Sequence, residues 1–276
     1  MTTASNCDTT VVVPCYNEAR RLDVAAFRSF AAATPRMRFV FVNDGSTDGT
    51  ADVLNALVAS SPESLECIHM ERNRGKAEAV RIGMLHALAG ARYAGYWDAD
   101  LATPLSEIAR FIALLEQQPN IEICFGARVQ LLGRDIRRRA YRHYVGRVFA
   151  TVASLALELP VYDTQCGAKL FRASPQIRAL FAEPFHGRWT FDVELIARLG
   201  LQRAGERASG PSRVIYELPL TSWHDAAGSK VSLWDLFTAL VELQHIRRRY
   251  RLGQERLDSD GATQTDAIET DASPRH

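Results

Sequence analysis

Five short apolar runs, the first four each followed by a stretch of helical length, constrain this chain more than any other feature. The runs are Thr10–Val13, Arg38–Val42, Leu65–Met70, Tyr93–Trp97 and Ile121–Phe125. Between them the pattern predicts helices over Glu18–Ala33, to Ser60, over Ala77–Ala89 and from Pro104 to Gln117. Strands alternating with helices at this spacing build βαβ units and a mainly parallel, Rossmann-like sheet flanked by helices, an α/β fold. In such sheets ligands sit beyond the carboxyl ends of the strands. Four polar loops occupy those ends: Pro14–Glu18, Asp44–Asp48, Arg74–Lys76 and Asp98–Asp100.

The last of these loops carries the most chemistry. In extended backbone, residues i and i+2 point the same way, so Asp98 and Asp100 address one small volume just past a strand. Two adjacent carboxylates repel unless a cation lies between them. A hard divalent ion, Mg²⁺ or Mn²⁺, suits oxygen ligands and travels with phosphates. The expected guest is therefore a nucleoside diphosphate, with the metal neutralising charge as the diphosphate leaves. The chain has neither a Gly-x-x-x-x-Gly-Lys-Ser/Thr loop nor a Gly-x-Gly-x-x-Gly turn after its first strand. That argues against P-loop phosphoryl transfer and against a dinucleotide cofactor. Asp48 is the expected cap of the helix that follows it, which leaves Asp44 for the nucleoside.

The second half is less regular. Residues 128–147 hold seven arginines against the single acid Asp135, and an apolar helix-like run, Val148–Leu157, follows. Arginine forks grip phosphate. A basic segment joined to an apolar helix also suits an anionic membrane surface, as does the helix predicted over Val231–Tyr250, which ends in arginines. A net charge of +1 supplies no field for nucleic acid, and none is expected as a partner. The five cysteines form no C-x-x-C pair and imply packing in a reduced compartment. No signal peptide or membrane-spanning run is visible, so the expected location is cytoplasmic, with peripheral membrane contact. The chain divides into a flexible N-terminus (1–9), a domain over 10–252 and a disordered acidic tail (253–276).

A resemblance sharpens this reading. Val12-Val13-Pro14-Cys15-Tyr16-Asn17-Glu18, Val42-Asn43-Asp44-Gly45-Ser46-Thr47-Asp48-Gly49-Thr50, Asn73-Arg74-Gly75-Lys76 and Asp98-Ala99-Asp100 resemble, in order, the signatures of family 2 glycosyltransferases. Asp163-Thr164-Gln165-Cys166-Gly167 and Arg188-Trp189-Thr190-Phe191-Asp192-Val193-Glu194 are similar to those of the dolichyl-phosphate β-glucosyltransferase branch. The resemblance implies the GT-A fold and inverting transfer of a hexose, glucose first, from a nucleotide-diphosphate sugar to a polyprenyl phosphate. It divides the domain into a nucleotide-binding half (10–127) and an acceptor-binding half (128–252).

It also implies roles for matching positions. Pro14, Tyr16, Glu18, Asp44, Lys76 and Asp98 would serve the donor nucleotide. Asp98 and Asp100 would hold the metal, Asp100 directly; apart from the resemblance, His224 is either a metal ligand from the far side of the site or a group at the surface or behind the ligands. Arg128, Arg134, Ser229 and Lys230 would serve the acceptor phosphate. Asp192 is either the general base or a sugar-binding or structural carboxylate. A hydroxyl acceptor needs a base. A phosphate monoester, with a second pKa near about 6, does not. Two other functions stay open at this point: transfer to a saccharide or glycolipid hydroxyl, and a non-catalytic nucleotide-sugar-binding scaffold.

Overall fold

The computed structural model describes residues 8–137, 140–204, 210–224 and 238–250, with residues 140–145 described by backbone alone. The expected tail, Ser229, Lys230 and the start of the last helix lie outside the described residues. The first half follows the alternation: β1 (Thr9–Cys15), α1 (Val24–Ala33), β2 (Met37–Asn43), α2 (Thr50–Ala59), β3 (Leu65–His69), α3 (Lys76–Ala87), β4 (Tyr93–Trp97), α4 (Glu107–Gln117) and β5 (Ile123–Ala127). After it come β6 (Asp135–Arg137), α5 (Ala140–Leu157), β7 (Ala168–Arg172), α6 (Pro175–Ala179), α7 (Phe191–Gln202), α8 (Pro211–Val214), β8 (Ile215–Pro219) and β9 (Ser222–His224). Residues 238–250 form a final helix, α9.

Seven strands make one sheet in the order β3-β2-β1-β4-β7-β5-β8, and β6 pairs with β9 apart from it. Within the large sheet β7 runs antiparallel to both its neighbours, β4 and β5, while the other pairs are parallel. Alternate strand residues supply two cores. Val11, Val13, Phe39, Phe41 and Trp97 pack beneath α1, α2 and α4. Val12, Val40, Val42 and Tyr96 pack beneath α3 and α7. Covering both faces is what a mainly parallel sheet requires.

Local chemistry moves several boundaries. The first helix starts at Val24, not Glu18, because the Asp23 carboxylate accepts the Ala26 N–H at 2.9 Å and caps it there. Residues 18–22 make a separate turn, with the Arg21 and Leu22 N–H groups on the Glu18 carbonyl. The helix expected from Pro104 begins at Glu107. The apolar run at Val148 lies within a helix that already starts at Ala140 in the arginine-rich stretch. Ser222–His224, expected as loop, is a strand paired with β6.

Candidate active site

The loops after β1 and β2 lock to one another. Asn17 N–H donates to Ser46 Oγ at 3.1 Å, and Thr47 N–H donates to Asn17 Oδ1 at 2.9 Å. Gly49, not Asp48, takes the N-cap position of α2, though Asp48 Oδ1 accepts the Thr50 N–H at 3.0 Å just before the helix. Asp44, 2% exposed, reaches the other way. Its two oxygens accept the N–H groups of Arg74 (2.7 Å) and Gly75 (2.9 Å). Asp44 therefore fixes the loop that delivers Lys76 to the head of α3. Gly45 permits this approach: it has φ 59 and lies so close to the Arg72–Asn73 backbone that no Cβ fits. Glu18 spends its carboxylate on the Arg21 guanidinium in a two-pronged pair, and Tyr16 stands exposed at the strand end.

Lys76 Nζ donates to Asp98 Oδ1. Asp98 is further held by its backbone, whose N–H donates to the Gly167 carbonyl at 3.0 Å. A methyl group on Gly167 would overlap the Asp98 carboxylate. Asp100 Oδ1 accepts the Ala102 N–H at 3.1 Å, across Leu101, which adopts the left-handed φ 50. That conformation is costly for a branched residue and shapes the turn that presents Asp100. The surrounding protein and the Asp98 charge both push the Asp100 carboxyl up. Burial pulls the Lys76 ammonium down, but Asp98, Asp192 and Asp100 outweigh it and the net shift is upward. Lys76 thus pairs with Asp98 and Lys169 with Asp192, while Lys76 and Arg21 act on Asp100 without outweighing its surroundings and the Asp98 charge.

The Asp98–Asp100 pair fits a divalent ion: both are hard oxygen donors and their charges are only partly offset. Among the described residues no three His, Cys, Asp or Glu side chains gather as a metal-ligating set. The pair itself is the donor set on offer. His224 comes near through its backbone N–H, which donates to the Ala102 carbonyl at 3.0 Å, while its Nε2 lies 2.8 Å from Asp135 Oδ2.

Asp192 sits in the first turn of α7 and is buried. Its Oδ1 accepts the Tyr96 hydroxyl and lies 2.7 Å from Lys169 Nζ. Lys169 is fully buried, and its ammonium also donates to the carbonyls of Thr164 (3.0 Å) and Cys166 (2.6 Å). All three of its donors are used. Burial and the Asp192 charge hold the Tyr96 phenol well above its usual pKa, so it stays a donor. Sequence reasoning missed Lys169. The signal was one charged residue inside the apolar run Ala168-Lys169-Leu170-Phe171, whose register places it directly across from Tyr96.

The turn before α7 is held by two glutamates. Glu242 of α9 accepts from Arg188 N (3.2 Å), Thr190 N (3.2 Å) and Thr190 Oγ (2.7 Å). Glu194 accepts from His186 N (2.8 Å), Gly187 N (3.1 Å) and Arg198 Nη2 (2.9 Å). This leaves the Arg188 guanidinium 3.4 Å from where a Cβ on Gly75 would lie, beside Lys76. Burial pushes the Glu194 carboxyl up, but His186, the Gly187 N–H and Arg198 bring the net value below the ordinary 4.5. A carboxylate depressed by folding stabilises the fold above its unfolded pKa, and that support is lost as pH falls through the folded value. Glu194→Gln should therefore cost about 3–5 kcal/mol at neutral pH. Melting curves should show its deficit against the parent protein shrinking as pH drops below 4.5.

On the far side Arg128 does not present an open fork. It holds Asp163 through Nε and Nη2, both at 2.7 Å, and lies over the Trp223 ring at 5.3 Å. Burial opposes the Arg128 charge, but Asp163 overcomes it and the net shift is upward. Glu217 completes the knot by accepting the Tyr162 N–H (2.8 Å) and the Asp163 N–H (2.7 Å). The expectation that Arg128 grips the acceptor phosphate is thus met by an arginine already engaged with an acid 35 residues on. Arg134 is exposed. Burial raises the Cys166 thiol to about 11, in keeping with a packing role.

The geometry can be set beside known proteins. The model of "Glycosyl transferase family 2" matches residues 10–177. The chain is 31% identical over 264 residues to the dolichyl-phosphate β-glucosyltransferase of Drosophila melanogaster, covering 90% of this chain and 77% of the relative. It is 29% identical over 266 residues to that of Saccharomyces cerevisiae, covering 88% and 75%. In structure it is similar to glucosyl-3-phosphoglycerate synthase of Mycobacterium tuberculosis, solved with Mn²⁺, UDP-glucose and phosphoglyceric acid. That match has a TM-score of 0.59 at 16% identity, over 88% of this chain and 79% of the other. A mannosyltransferase of Pyrobaculum calidifontis, solved with GDP-mannose and Mn²⁺, matches with a TM-score of 0.53 at 16% identity, over 92% and 79%. The matched signatures at the strand ends and the GT-A architecture agree: the chain belongs to glycosyl transferase family 2.

Proposed function

We propose that this chain is a metal-dependent, inverting glucosyltransferase that moves glucose from UDP-glucose to a polyprenyl phosphate at a membrane surface. The observation that carries the reading is the carboxylate pair Asp98–Asp100 beside Lys76 at the carboxyl edge of the sheet. Asp100 and Asp98 would hold Mg²⁺ or Mn²⁺, which when bound offsets negative charge on the departing diphosphate. The loops of Pro14, Tyr16, Glu18 and Asp44 would frame the nucleoside, and Lys76 would stand by the donor phosphates. The lipid phosphate attacks the anomeric carbon, the bond from that carbon to the UDP oxygen breaks, and UDP departs from the opposite face. Residues 10–127 would serve the donor and 128–252 the acceptor. The named relatives support the sugar and the acceptor class.

The engagement of Asp192 favours a phosphate over a hydroxyl acceptor. Its Oδ1 is already committed to Lys169 and Tyr96. A dianionic phosphate monoester has no proton to give up, so it needs placement rather than a base. Labelled UDP-glucose incubated with the protein, a polyprenyl phosphate and Mn²⁺ should yield labelled lipid. Label found only on a saccharide or glycolipid hydroxyl would refute the acceptor.

A further inference from the structure

The β5–β6 connection carries two leucines that the fold leaves in water. Leu132 is 105% exposed and Leu131 is 48% exposed. The turn that bears them is well formed. Arg134 N–H donates to the Leu131 carbonyl at 3.1 Å, and Gly133 takes φ 80 at the third position, where such a turn requires a left-handed residue. Leu132 is its tip. β5 runs antiparallel to β7, which is itself antiparallel to β4, so β5 runs the same way as β4. The turn therefore leaves the same sheet edge that carries Asp98, Asp100 and Lys76. Arg134 and Arg137 flank it, both exposed, against the one acid Asp135, which Arg137 (2.7 Å) and His224 (2.8 Å) share.

We propose that the Leu131–Leu132 turn is a wedge that enters the surface of an anionic lipid bilayer and sets the active-site edge down on it. An apolar tip flanked by Arg134 and Arg137 combines burial of hydrocarbon with attraction to acidic headgroups. The proposal rests on the lipid-acceptor reading. A phosphate on a membrane-embedded isoprenoid lies at headgroup depth, and no helix among the described residues is long and apolar enough to cross a membrane. A catalytic edge that meets such a phosphate must face the bilayer, and the turn is placed to do this.

The test is sedimentation of the full chain with phosphatidylcholine vesicles, with and without phosphatidylglycerol. The parent protein should pellet with the anionic vesicles, less so as salt rises. The double variant Leu131→Ser, Leu132→Ser should partition at least about tenfold more weakly. The Leu132→Trp protein should gain emission, relative to its parent, that shifts to the blue on addition of vesicles. Because the substituted side chains are exposed, melting temperature and Mn²⁺-dependent UDP affinity should stay at parent values. Equal vesicle binding by the double variant would overturn the wedge, as would added indole emission that vesicles leave unshifted in the Leu132→Trp protein. So would a solution dimer that the double variant dissolves, since the tip would then be a protein contact. Vesicle binding that depends on the leucines, with no glucose reaching polyprenyl phosphate in detergent, would uphold the wedge and refute the acceptor.

Discussion

Asp100→Asn should lower turnover by about a hundredfold to a thousandfold while leaving the melting temperature unchanged or slightly higher. The two halves of that expectation come from the same electrostatics. The surrounding protein and the neighbouring Asp98 charge push the Asp100 carboxyl up, so its ionised form is held at a cost to the fold. Removing one charge relieves that repulsion, and an asparagine oxygen can still accept the Ala102 N–H. What it cannot do is provide an anionic ligand to a divalent ion. A variant that is folded, as stable as its parent and slow is the signature of a site that sacrifices stability for charge. A variant that loses turnover only in proportion to lost fold would place Asp100 among structural residues.

Gly167→Ala should be the second large effect. Gly167 lies in the Asp163-Thr164-Gln165-Cys166-Gly167 segment, far in sequence from Asp98 but against it in space. Its carbonyl receives the Asp98 N–H, and a methyl group would occupy the place of the Asp98 carboxylate. The backbone bond at 3.0 Å holds Asp98 in position, so the side chain must turn away. Overpacking of this kind costs about 1–3 kcal/mol of stability. The larger loss should be in rate, about a hundredfold, because Asp98 would leave both Lys76 and the partner carboxylate. Steady-state kinetics beside thermal melts separate the two. Parent-level turnover would show that the position of the Asp98 carboxylate does not matter.

The first half of the fold was legible because each strand and helix declares itself locally. Apolar runs such as Val11-Val12-Val13 and the polar residues that end them were enough to place all four site loops. Where the sequence misled, the cause was a contact between distant residues. The exception is local: the Asp23 carboxylate accepts the Ala26 N–H three residues on and starts the first helix there. Ala168–Phe171 reads as a strand, but its antiparallel insertion between β4 and β5 depends on the α5 connection. Arg128 looked like a free phosphate fork because Asp163, which claims it, is 35 residues away. Lys169 looked like an ordinary strand residue until its register set it opposite Tyr96 and beside Asp192. Periodicity reports burial. It does not report which buried charge another charge answers.

The proposed transfer requires Asp98 and Asp100 to bind a divalent ion together with a nucleoside diphosphate. Titration calorimetry with UDP, in Mn²⁺ and again in EDTA, measures this coupling. UDP should bind at least about tenfold tighter with Mn²⁺, a coupling of about 1.4 kcal/mol or more, and the gain should disappear in Asp100→Asn. Equal UDP affinity with and without the metal, or metal-enhanced binding that survives in Asp100→Asn, would show that the pair is not the metal site.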